Sequence, residues 1–250
     1  MAKNEDKALA PYDYGQYAGQ GFEGQTREDV MIPLLKLLQA NSPELETAEG
    51  AKAGMLMNSV TGELSTELLI VPAMTQHLFV EWVPRASGGG YRGVRPANDP
   101  AVEAARAQAT EFGKYRLPNG NELGETFYLY AVTEGGGMIV VPFRSTKIKV
   151  YKQWNTRLRM FTVTDAEGRK VNPPMFAHHV RVTSVAQENA KGKFFNLVLE
   201  PAKKQMLESM LRPEHPLFQA AVDLRKMVEA GTATAAFESE VAPDEEPVPF

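Results

Sequence analysis

From Phe143 to Phe161 the sequence reads Phe-Arg-Ser-Thr-Lys-Ile-Lys-Val-Tyr-Lys-Gln-Trp-Asn-Thr-Arg-Leu-Arg-Met-Phe, with six bases and no acid. Arg144, Lys147, Lys149, Lys152, Arg157 and Arg159 supply the charge, and Phe143, Tyr151, Trp154 and Phe161 lie between them. Cations bind phosphate oxygens and rings stack on unpaired bases, so this mixture suits a single-stranded nucleic acid read without regard to sequence. In an extended segment, Lys147, Lys149 and Tyr151 share one face and Ile148 and Val150 the other. In a helix, Lys147, Tyr151 and Trp154 align at i, i+4 and i+7. The competing reading places Tyr151 and Trp154 in a core and leaves the bases as a solvated surface. The lack of acids favours phosphate, because solubility alone is served by mixed signs.

A second cationic stretch, Trp82 to Arg95, places Arg85, Tyr91, Arg92 and Arg95 around Gly88-Gly89-Gly90. Glycines let backbone approach a strand closely, and Arg pairs phosphates or stacks on bases. The alternative here is an ordinary hairpin loop anchored by Trp82. Lys114-Tyr115-Arg116 and Lys191-Gly192-Lys193-Phe194-Phe195 repeat the pattern more weakly.

The net charge of −4 conceals a segregation of sign. Arg144 to Lys204 holds thirteen Lys and Arg against four acids, whereas Gly231 to Phe250 holds five acids and no base. The absence of Cys excludes disulfides and thiolate chemistry and agrees with a reducing compartment. The first residues lack the apolar core of a signal peptide, and no stretch approaches the ~20 apolar residues of a membrane span. The expected location is therefore the cytoplasm, the host's if the gene belongs to a phage, with no membrane partner. No Gly-Lys-Ser/Thr phosphate loop occurs, and the adjacent His178 and His179 lack a third ligand at usable spacing. No catalytic residues, metal or cofactor are expected, and the chain reads as non-enzymatic.

These residues need a scaffold. Apolar spacing predicts a helix over Arg27 to Gln39 with Thr26 as N-cap, then strands over Leu64 to Pro72 and Gln76 to Val83. A short helix follows over Asp99 to Phe112, then a hairpin of Glu125 to Thr133 and Met138 to Pro142 around three glycines. Further strands are read at Met160 to Thr164, Val180 to Val185 and Phe194 to Leu199, and helices at Pro201 to Leu211 and His215 to Ala230, the last stopped by Gly231. The expected class is mainly β (α+β): an OB-fold-like antiparallel barrel with peripheral helices and disordered termini. Residues 1–25 form a flexible arm, 26–230 the binding domain and 231–250 an acidic disordered tail.

The tail ends Asp244-Glu245-Glu246-Pro247-Val248-Pro249-Phe250. Repelling carboxylates and three Pro from Pro243 onward bar regular structure, yet the chain stops on an aromatic. This ending resembles the C-terminal tip of bacterial single-stranded DNA-binding proteins, where acids precede a final Ile-Pro-Phe. Trp154-Asn155-Thr156-Arg157 and Asn172-Pro173-Pro174-Met175-Phe176 look like a phage-encoded group of such proteins. The resemblance implies that Phe250, Pro249 and the acids Asp244, Glu245 and Glu246 recruit replication or recombination proteins. A plain solubilising end is the alternative. The expected function is thus sequence-independent coating of single-stranded DNA in replication and recombination. Strand annealing, or a phage structural or host-inhibitor role without DNA, are the alternatives, and self-association is open. If the tail folds back on the basic stretch, deleting residues 238–250 should tighten DNA binding at low salt; unchanged affinity in a gel shift would count against this.

Overall fold

The computed structural model describes residues 31–237 apart from 112, 190 and 191, together with Tyr17, Gln20, Gly21 and Gly24. In chain order the strands and helices are β1 (Met31–Ile32), β2 (Leu35–Leu37), α1 (Glu44–Thr47), β3 (Leu56–Asn58), β4 (Leu64–Ser65), β5 (Leu68–Trp82), β6 (Tyr91–Pro96) and α2 (Pro100–Ala107). They continue with β7 (Tyr115–Arg116), β8 (Glu122–Thr133), β9 (Met138–Arg144), α3 (Lys147–Met160), β10 (Val163–Thr164), β11 (Lys170–Val171), β12 (Val180–Asn189), β13 (Gly192–Pro201), α4 (Pro216–Glu229) and β14 (Thr234–Ala235).

β5 and β8 are the long central pair of an antiparallel sheet ordered β13-β12-β5-β8-β7. β6 also pairs with β5 and β9 with β8. The α+β class with antiparallel strands agrees with the sequence reading. The barrel does not close: no pairing among the described residues joins the β13 and β6 edge to the β7 and β9 edge. Closure is unnecessary for burial, because helices cover both faces. On one face Val71, Val80, Trp82, Tyr128, Tyr130 and Val132 pack with Ala221, Leu224 and Val228 of α4. On the other, Leu129, Ala131, Val141, Phe143, Val182 and Leu199 lie with Tyr151, Trp154 and Leu158 of α3. Further along that second face Phe79 and Leu123 meet Val102 and Ala105 of α2. Successive strand residues face opposite ways, so a sheet covered twice needs an unbroken apolar run, and Phe127 to Val132 is one.

Five sequence expectations are revised. The strand read over Met160 to Thr164 is the last residue of α3 followed by the two-residue β10, and the stretch read as a disordered tail from 231 begins with β14, paired to β1, with Ala233 and Ala235 in the core. Pro72 divides the two strands read over Leu64 to Val83, but β5 passes through it with a register shift between Pro72 and Met74. A bulge is where a strand tolerates a residue without N–H. The described part of the helix expected over Arg27 to Gln39 is instead β1 and β2. Pro33 disfavours helical backbone at Ile32, and Ile32 with Leu34 enters one apolar cluster while Leu35 enters the other. The helix expected over Pro201 to Leu211 is only a 3-10 turn, Leu207–Ser209. The expected helix at His215 does form as α4: the His215 Nδ1 accepts from Leu217 N–H at 3.2 Å, and Gly231 follows the last turn at φ 69°. The Gly135 to Gly137 hairpin also stands, as β8 and β9. No helix among the described residues is long and apolar enough to cross a membrane.

The β12–β13 hairpin is held to the β2–β3 side by polar contacts. The Gln39 side-chain amide accepts from Phe195 N–H at 2.9 Å and donates to Phe195 C=O at 3.1 Å, imitating a strand partner. Ser184 Oγ donates to Gly54 C=O at 2.5 Å. Gly54 has φ 90°, and a Cβ there would stand 2.5 Å from Phe195 Cε1. Gly54→Ala is therefore expected to cost about 1–3 kcal/mol from left-handed strain and displacement of the Phe195 ring, read as a lower urea midpoint.

Candidate nucleic-acid interface

The acid-free segment forms the fourteen-residue helix α3. Its Tyr151, Trp154 and Leu158 recur at i, i+3 and i+7, the spacing of one helix face, and that face lies on the sheet. Asn172 Nδ2 donates to Leu158 C=O at 2.8 Å, which also accepts from Phe161 N–H, and to Phe161 C=O at 2.7 Å, so one side-chain amide ties down the helix end. The irregular segment that carries Asn172 leads into the 3-10 helix of Met175–Ala177, where the Phe176 ring meets Phe218 edge-on at 4.9 Å. The stretch from Asn172 to Phe176 thus supports α3.

The proposed stacking rings are corrected by this arrangement. Tyr151 is 7% exposed and Trp154 4%, and Tyr151 stacks on Phe127 at 4.5 Å. Neither presents an open ring face, because the aligned positions are the ones the helix needs for its own burial. Lys147, on the same side, is 6% exposed and so is not a surface cation. Phe143 is wholly buried in the same cluster.

What α3 turns outward is Lys149, Lys152, Gln153, Thr156, Arg157, Arg159 and Met160, all exposed. The helix has no acid, and among the described residues Lys149, Lys152, Arg157 and Arg159 are in no ion pair. Other Arg are treated differently: Arg116 pairs with Glu122, Arg169 with Asp165 and Glu167, and Arg181 with Glu67. Four cations on one face of a helix that carries no acid, none of them in an ion pair among the described residues, leave a positive surface whose counterions are mobile.

The remaining residues singled out by sequence are dispersed. Arg95 donates to Glu81 at 2.7 Å and to Asp99 at 3.2 Å, so its charge is neutralised locally. Burial pushes the Glu81 carboxyl up, but hydrogen bonds from Asn121 and Arg95 outweigh it and hold the group below the ordinary carboxylate value. Arg85 and Arg92 are exposed near β6, and Tyr91 is half-buried edge-on to Trp82 at 5.9 Å. β6 lies on the Leu78 to Trp82 end of β5, whereas α3 contacts β8, β9 and β13, so the two stretches are carried by different parts of the sheet. Arg144 is half-buried at the end of β9, and Lys193 is exposed at the tip of the β12–β13 hairpin. Lys191, Asp244, Glu245, Glu246, Pro249 and Phe250 lie outside the described residues, as does most of the N-terminal arm.

His178, beside Phe161 at 5.8 Å, is 1% exposed, and neither ring nitrogen has a hydrogen-bond partner among the described residues. Burial lowers its pKa from 6.5 to about 4. The folded state thus holds it neutral while the unfolded chain protonates it below pH ~6.5, so its contribution is complete above that pH and is lost as pH falls toward 4. A shift of this size corresponds to about 3 kcal/mol. Urea unfolding at pH 7 and pH 4.5 should show that loss, and His178→Leu should remove it from the difference.

A family model described as Pam3 phage gp34-like protein matches residues 2–234. The chain belongs to this phage family. The match spans α3 and the whole sheet and ends at residue 234, inside the 231–250 stretch and before its first acid, Glu238. No curated protein and no solved structure matches this gp34-like chain.

Proposed function

We propose that this phage protein is a non-enzymatic coat for single-stranded DNA in replication and recombination, and that the outer face of α3 is where the strand's phosphates bind. The observation that carries the reading is the exposed set Lys149, Lys152, Arg157 and Arg159, acid-free and without ion pairs among the described residues. Because Tyr151 and Trp154 are buried, binding rests on phosphate contact and counterion release rather than on stacking by those two rings. The acidic tail, with Phe250 at its end, complements this surface in sign and supplies the recruiting element for replication or recombination proteins.

Titration of a fluorescent dT oligomer at a series of salt concentrations tests the reading. Four phosphate contacts give a slope of log K against log salt of about −3, since each contact on a single strand contributes about −0.7. Absence of salt-dependent binding would remove the proposal. Tryptophan fluorescence should change little, because Trp82 and Trp154 are both buried.

A further inference from the structure

The described residues do not cover the sheet face beneath α3 from end to end. α3 lies over Leu129 and Phe143, and α2 over Phe79 and Leu123. Between those two patches the side chains of His77, Glu125 and Phe127 are half-buried. Cross-strand register puts them on one face: His77 stands opposite Phe127 and Phe79 opposite Glu125.

The rings make a continuous row. Phe143 tilts on Tyr151 at 5.5 Å, Tyr151 stacks on Phe127 at 4.5 Å, and Phe127 stacks on His77 at 4.2 Å with the planes 9° apart. His77 meets Phe79 at 5.4 Å, and Phe79 meets Tyr115 at 5.8 Å. The four outer members are buried, so the row comes to the surface only at His77 and Phe127. A cation flanks each end of this opening: Lys152 Nζ lies 5.8 Å from the Phe127 centroid, and Arg106 Cζ lies 5.8 Å from the Phe79 centroid. Lys152 belongs equally to the outer face of α3, so the strip continues the cationic surface.

The polar group at the opening is Glu125. His77 Nε2 donates to its Oε1 at 2.9 Å, with 33% of the His77 side chain and 14% of the Glu125 side chain exposed. No hydrogen bond among the described residues uses the second carboxylate oxygen. A carboxylate in the floor repels phosphate, whereas it accepts from the N–H and amino donors of a base. Apolar ring rims beside a lone acceptor, with a cation on either side for the flanking phosphates, fit an unpaired base.

We propose that the strip formed by His77, Glu125 and Phe127 receives one nucleobase of a strand held on α3. This deepens the coating reading and rests on it. The faces of Phe127 are already taken by His77 and Tyr151, so the base meets the ring rims, and its donor edge reaches the unengaged oxygen of Glu125.

The test compares dT, dC and abasic oligomers of equal length against wild type, His77→Ala and Glu125→Gln, with melting curves confirming that each variant folds. A base contact through the ring rims predicts that His77→Ala weakens dT binding by roughly 5-fold, the low end of a base–ring contact, while leaving both the salt slope and the abasic affinity unchanged. Glu125→Gln preserves shape but replaces one acceptor by a donor, and should lower the dC-to-dT affinity ratio several-fold, because the cytosine amine needs an acceptor. If both variants bind dT and dC as wild type does, the strip takes no base and the coating reading still stands. If wild type binds none of the three strands, both fall.

Discussion

Exchanging Lys149, Lys152, Arg157 and Arg159 together for Gln is expected to weaken binding of a dT oligomer by on the order of 10²- to 10³-fold at ~0.1 M salt. The magnitude follows from counterion release: about 0.7 of an ion per phosphate is a factor of about 5 per contact at this salt, and four contacts compound. The slope of log K against log salt should become shallower by about 3. Stability should barely change, because the four side chains are exposed and make no ion pair among the described residues. Within the fold, the exchange removes the approach of Lys152 to the Phe127 ring, a cation–π pair worth about 0.5–1 kcal/mol at an exposed site. Equal affinities for the variant and wild type, both shown folded by circular dichroism, would place the DNA elsewhere or nowhere.

Trp154→Ala should do the opposite, costing about 3–5 kcal/mol of stability through a cavity under α3. Trp154 is 4% exposed among Leu129, Val141 and Leu199, and truncating its ring takes away a main piece of the packing between helix and sheet. A chemical-denaturation midpoint far below that of wild type is the expected readout. At temperatures where the variant remains folded, its salt slope should match that of wild type, since no phosphate contact is touched. A variant of wild-type stability with weakened DNA binding would mean that the ring faces the strand.

These two substitutions also mark where the sequence was legible. The segment from Lys147 to Met160 declares its cations and rings openly, and the helical alignment of Lys147, Tyr151 and Trp154 is the observed one. Which side faces the sheet is not a local property. Leu158 continues the Tyr151 and Trp154 spacing and is the signal that this face is the buried one, leaving Lys149, Lys152 and Arg159 to solvent. The α4 helix and the β8–β9 hairpin are readable because a cap and three glycines fix them within a few residues.

Other features depend on partners distant in sequence. Met31 to Leu37 carries helix-like apolar spacing, but its burial in two different clusters and its pairing with β14 and β3 are decided by elements far along the chain. The same holds for His77 and Phe127, fifty residues apart, whose stacking requires the β5–β8 register. Arg95 reads as a free cation until Glu81 and Asp99 are placed beside it. Isolated charges are thus the least readable residues here, and a whole helix face without acids the most.

Lysine acetylation of the wild-type protein with and without a dT oligomer tests the central claim most directly. Lys149 and Lys152 on α3 should be protected by the strand, whereas Lys226 on α4, on the opposite face of the sheet, should react as before. Equal labelling of Lys149 and Lys152 in the two samples, under conditions where the oligomer is bound, would contradict the account.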